Sequence, residues 1–82
     1  MDIYNDKEYK LFVLKIGLRV SYYRKLAGLS QEELSTICGM SLNFVSTLEA
    51  PSIYYTPSFK SMFKISKALG VPVSKLVEVD ND

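Results

Sequence analysis

The chain has 82 residues, 48% of them hydrophobic, with ten Lys or Arg against nine Asp or Glu, a formal net charge of +1 and no histidine. That length fits a single domain burying about 60 to 65% of its unfolded surface, and so balanced a charge neither favours nor excludes a polyanionic partner. A single cysteine rules out an internal disulfide and favours a reducing compartment, and no stretch suits a signal peptide or a membrane span, so a cytoplasmic protein with no membrane contact is expected.

Tyr9, Phe12, Ile16, Val20, Tyr23 and Ala27 recur at steps of three and four, which predicts one long amphipathic helix ending near Gly28. A second stripe, Leu11, Leu14, Leu18 and Tyr22, runs beside the first. A helix apolar on two faces is expected to bury both, so this stripe is assigned to a dimer or partner surface; the alternative is cover by the N-terminal residues. Ser30 followed by Gln31, Glu32 and Glu33 is a capping box that starts a second helix at Gln31. Gly39 suits the left-handed stop of that helix, and Ser41 is a good cap for a third helix running from about Leu42 to Glu49.

Residues 50–56 carry Pro51 and two adjacent tyrosines without periodicity and read as a loop. Pro57 is expected to pre-set the first turn of a fourth helix with the apolar face Phe59, Met62, Phe63, Ser66 and Leu69, closed by Gly70. Val73, Leu76 and Val77 give a short fifth helix, and residues 79–82 form a polar tail. The expected fold is all-α, a single domain over 1–82 with five helices, the first of them extended. Basic residues gather on the first helix (Lys15, Arg19, Arg24, Lys25) and the fourth (Lys60, Lys64, Lys67), where solvated helix faces account for them.

Two helices cross steeply through a short turn when the first offers a small residue at the contact and the turn contains glycine. Counting Gln31 as the first position, Leu34 falls at four, Ser35 at five, Cys38 at eight, Gly39 at nine, Met40 at ten, Val45 at fifteen and Leu48 at eighteen. Each is the residue type that a helix-turn-helix requires there. An ordinary helical hairpin needs neither the small residue nor the glycine at these spacings.

The stretch 16–77, with IGLRVSYYRKLAGLSQEELSTICGMSLNFVSTLE followed by PSFKSMFKISKALGVPVSKL, resembles the Cro/cI-type helix-turn-helix family, also called xenobiotic-response-element-like or lambda-repressor-like. The phrases GLSQEEL and KALGV and their spacing carry the likeness. The resemblance implies a five-helix bundle whose third helix enters the major groove of double-stranded DNA, a homodimer on a partly palindromic site, and no cofactor or metal. Candidate base-reading residues are Ser41, Leu42, Asn43, Phe44 and Thr47, with Asn43 suited to adenine and Leu42 or Phe44 to a thymine methyl group. Gln31, Lys60 and the amides of Ser58 and Phe59 are candidate backbone contacts at helix starts. Glu49, at a helix C-terminus where the dipole disfavours negative charge, needs a cation. The resemblance supplies it as Arg24 in a structural ion pair, in preference to Arg24 as a phosphate contact.

The sequence departs from the family in the loop after the third helix and on the first helix. Ala50 and Pro51 replace the usual basic or amide residue and glycine, and the loop of residues 50–56 is two residues longer than usual. Nothing basic lies between Leu26 and Phe59, so weaker and less salt-dependent DNA binding is expected. Leu18 and Tyr22 stand where the family usually has polar residues. Tyr54 and Tyr55 suit either phosphate contact or packing under the loop. An enzyme is not expected: there is no histidine, no phosphate-cradling glycine loop and no metal-ligand spacing, and Cys38 falls on an apolar face. Transcriptional regulation, as a repressor, is the leading expectation. The alternative is a protein-binding module on the same fold, such as an antitoxin or adaptor with a protein partner.

Overall fold

The computed structural model describes residues 5–53 and 55–78, so Tyr54 and the expected tail 79–82 lie outside the described residues. Asn5 caps the first helix through its side chain, and α1 runs over Asp6–Leu26 with acids in its first turn and Arg24 and Lys25 in its last. That charge order suits the helix dipole. α2 spans Gln31–Cys38, α3 Leu42–Glu49, α4 Phe59–Leu69 and α5 Val73–Leu76. The described residues are helices and connecting segments with no strand, the expected all-α five-helix fold.

Local chemistry sets each boundary. The Ser30 side chain accepts from the Glu33 amide at 3.0 Å while the Ser30 amide donates to Glu33 Oε1 at 2.8 Å, closing the capping box of α2. Gly39 ends α2 at φ 69°, ψ 34°, the left-handed region that a residue with a β-carbon enters at a cost. The amide of Met40 then donates to the Ser35 carbonyl at 2.9 Å. Ser41 caps α3 by accepting from the Phe44 amide at 3.0 Å. α3 stops at Glu49 because Pro51 holds the residue before it in extended backbone, and Ala50 sits at φ −70°, ψ 120°. Ser58 caps α4.

The core gathers Ile16 and Val20 of α1, Leu34 and Cys38 of α2, Val45 and Leu48 of α3, Met62 and Ile65 of α4 and Leu76 of α5. α2 packs on α3 and α4, while α1 lies across α3, α4 and α5. Val13 and Gly17 of α1 are also buried. A β-carbon at Gly17 would overlap the carbonyl oxygen of Leu48, so α1 and the last turn of α3 meet backbone to backbone at this point.

Several expected core positions differ. Ala27 is exposed, because the chain has already left helical geometry at this cap. Phe59 and Phe63 are exposed rather than part of the buried face of α4; the face that packs runs through Met62, Ile65 and Ser66 with Leu69 beside them. Pro57 is buried and precedes the cap instead of forming the first turn. Val77 lies just past α5 as its C-cap.

Candidate nucleic-acid interface

α2, the turn Gly39–Met40 and α3 pack together as one unit. Leu34 is fully buried in α2 and Val45 in α3, so both helices are held by their inner faces. Ser35 is 4% exposed at the contact, and its hydroxyl donates to the Glu32 carbonyl at 2.7 Å, which lets a polar residue sit there satisfied. With Val45, Leu48 and Glu49 turned inward, the opposite face of α3 presents Asn43, Ser46 and Thr47 to solvent, Asn43 exposed and the other two half-buried.

The expected base-reading positions divide into two groups. Ser41, Leu42 and Asn43 are exposed at the start of α3. The Ser41 oxygen accepts from Phe44 as a cap, leaving its hydroxyl hydrogen to donate. Phe44 is half-buried: it packs against the core and meets the Tyr55 ring edge-on at 5.6 Å between centroids. Its ring thus ties the loop after α3 to α3 itself. Ser46 was not singled out from the sequence, although it stands three residues after Asn43 and shares its face; its hydroxyl donates to the Asn43 carbonyl at 3.2 Å.

Behind α3 lies a buried polar network. Arg24 Nε donates to Glu49 Oε2 at 2.8 Å and Nη2 to Oε1 at 2.9 Å, a two-pronged pair with side chains only 9% and 3% exposed. Arg24 Nη1 donates to the Leu29 carbonyl at 2.6 Å. The hydrogen bond to Glu49 raises the Arg24 pKa above its ordinary value, against the opposing effect of burial. Gln31, the first residue of α2, donates its side-chain amide to Glu49 Oε1 at 3.1 Å. The first turn of α2, the end of α1 and the last turn of α3 therefore converge on one carboxylate, a convergence that motif spacing does not reveal.

At the start of α4, Ser58 and Lys60 are exposed. The Ser58 oxygen accepts from the Ser61 amide at 3.1 Å. Leu11, Leu18 and Tyr22 are 53%, 52% and 58% exposed on α1, with Leu14 half-buried between them and Leu26 continuing the line at 66%. The apolar stripe expected on the second face of α1 is thus open on the described chain. Among the described residues no three His, Cys, Asp or Glu side chains gather as a metal site, and no helix is long and apolar enough to cross a membrane. Burial pushes the Cys38 thiol pKa up, partly offset by Lys64, and Cys38 Sγ donates to the Lys64 carbonyl at 3.7 Å.

Comparison with known proteins places this geometry. A model of the helix-turn-helix family matches residues 20–76. An uncharacterized HTH-type transcriptional regulator of Methanocaldococcus jannaschii is 34% identical over 64 residues, which cover 78% of this chain and 94% of that protein. The crystal structure of the restriction-modification controller protein C.AhdI from Aeromonas hydrophila is similar with a TM-score of 0.72 at 28% identity, over 78% of this chain and 94% of that one. A chain of the SinR protein/SinI protein complex is similar with a TM-score of 0.72 at 33% identity, over 77% of this chain and 60% of that chain.

Proposed function

The chain belongs to the Cro/cI-type helix-turn-helix family, and from that membership we propose that it is a sequence-specific double-stranded DNA-binding regulator of transcription. It acts in the cytoplasm as a homodimeric repressor, without cofactor or catalysis. The observation that carries this reading is the outward face of α3. Asn43, Ser46 and Thr47 stand on a helix whose other face is locked to the core by Val45 and Leu48.

A helix so presented enters the major groove and reads base edges with its first turns. Asn43 offers the donor and acceptor pair that matches adenine, and Leu42 an apolar surface for a thymine methyl group. Ser41 and Thr47 add hydroxyl contacts, and Phe44 holds the helix while offering its edge. Gln31, Ser58 and Lys60 hold the phosphate backbone, helped by the free amides of two helix N-termini. Gln31 also touches Glu49, so the backbone contact is braced by the buried Arg24–Glu49 pair.

Two copies joined through Leu11, Leu14, Leu18 and Tyr22 would each present one recognition helix. Half-sites would then lie about one helical turn of DNA apart, roughly 34 Å, or a multiple of it. The test is a mobility shift on random duplex at low and at moderate salt. Retardation at low salt that fades as salt rises is expected, because counterion release drives non-specific binding. Absence of a shift at both salt concentrations would reject the DNA reading.

A further inference from the structure

On the side of the molecule formed by the end of α2 and the middle of α4, we infer that a shallow cleft is the docking site for an acidic amphipathic segment of a partner protein. The cleft has a volume of about 320 Å³ and is lined by Ile37, Cys38, Phe63, Lys64, Lys67 and Ala68. Cys38 is buried and Ala68 half-buried among these lining residues. Ile37 at 56% and Phe63 at 57% exposure form its two walls. One turn before Phe63, Phe59 extends the apolar wall at 92% exposure. Large apolar side chains left in water on adjoining turns of two helices form a surface on which another molecule can dock.

Charge identifies the occupant. The solvent face of α4 interleaves Phe59 and Phe63 with Lys60, Lys64 and Lys67, and the helix FKSMFKISKAL contains no acid. The Lys67 ammonium sits 5.8 Å from the centroid of the Phe63 ring, which places a cation at the rim of the apolar wall. An apolar anchor with carboxylates on the side that faces α4 complements both features, while the α2 wall adjoins Glu32 and Glu33. A second copy fits less well: two-fold pairing uses the same patch twice, which brings the lysines of both α4 helices into one interface. The DNA backbone supplies negative charge but no apolar group for Ile37 and Phe63. Ile37 also stands near the end of α2 opposite Gln31, away from the proposed backbone contact.

The inference is separable from the DNA reading at Phe63 and Lys67, which are not among the proposed DNA contacts, although Lys60 serves both surfaces. The probe is a short fluorescein-labelled peptide with leucine and phenylalanine on one helical face and glutamate on the other, together with a twin carrying lysine for glutamate. Binding to the full chain is followed by fluorescence anisotropy for wild type, Phe63→Ser and Lys67→Glu, with thermal melting as the folding control. We expect the glutamate peptide to bind, the lysine twin not to bind, and each substitution to weaken binding roughly tenfold or more. Equal binding of the two peptides, or indifference to both substitutions in folded protein, would overturn the inference. So would an equal loss with Leu18→Ser, which would move the site to α1. Binding to phosphatidylglycerol vesicles with no binding of the peptide would also overturn it, by assigning the lysines to an anionic lipid surface.

Discussion

Gly17 lies under the carbonyl oxygen of Leu48 with no room for a β-carbon between them. The contact sets how closely the last turn of α3 approaches α1, and so fixes where the C-terminal end of α3 sits. Gly17→Ala gains up to about 1 kcal/mol of helix propensity but forces two backbones apart, at a cost of about 1 to 3 kcal/mol or more. The expected outcome is a lower midpoint in urea unfolding. An unchanged or raised midpoint would show that the approach can relax freely.

Arg24 and Glu49 form a buried pair, and Gln31 leans on the same carboxylate. Removing one partner leaves the other buried without its counter-charge, so Glu49→Ala should cost about 3 to 5 kcal/mol. Replacing both with apolar residues of similar volume should cost far less. Chemical denaturation of the single and double variants measures this. We expect Glu49→Ala to lose folding before it loses DNA contact, so equal melting temperatures with lost binding would contradict the structural assignment.

The Glu33 pKa is held below its ordinary value, chiefly because its carboxylate accepts a hydrogen bond from the Ser30 amide. A carboxylate with a lowered folded-state pKa stabilises the fold in full above its ordinary pKa. That contribution is lost as pH falls through the ordinary value and then the lowered one. Glu33→Gln keeps a side-chain oxygen that does not titrate. The melting-temperature advantage of wild type over Glu33→Gln is therefore expected near neutral pH and should shrink in acid; parallel curves throughout would count against this role for the capping box.

Leu11, Leu18 and Tyr22 leave a long apolar stripe open on α1. Leu18→Lys places a charge at its centre, where a dimer interface would have to bury it. Sedimentation velocity is expected to show wild type as a dimer and the variant shifted to monomer, with both equally helical. An oligomer unchanged by the substitution would remove α1 from the interface.

The helix-turn-helix was legible because its determinants are local. Ser30 with Glu33, Gly39 with Ser41, and the buried Leu34, Ser35, Val45 and Leu48 all fall within nineteen residues, between Ser30 and Leu48. The structure places the boundaries of α2 and α3 where those signals put them. The buried side of α4 was harder to read. Phe59, Met62, Phe63, Ile65, Ser66 and Leu69 cover more than one helical face, and only packing against α1, α2 and α5 selects the side with Ile65. Gly17 carries a signal of its own: a glycine in the middle of a helix costs stability unless something needs the space. The contact of Gln31 with Glu49 joins residues 18 apart, and the ring contact of Phe44 with Tyr55 depends on how an irregular loop folds back. Neither follows from periodicity.

The central claim is that the outward face of α3 reads a DNA sequence. Selection of bound sites from a random duplex pool, with wild type and Asn43→Ala side by side, tests it most directly. We expect wild type to enrich a partly palindromic site, and Asn43→Ala, folded as judged by its melting curve, to lose preference at one base pair of each half-site, at a cost of about 1 to 3 kcal/mol. A pool that stays random for wild type, or an identical enriched motif for both proteins, would contradict the account.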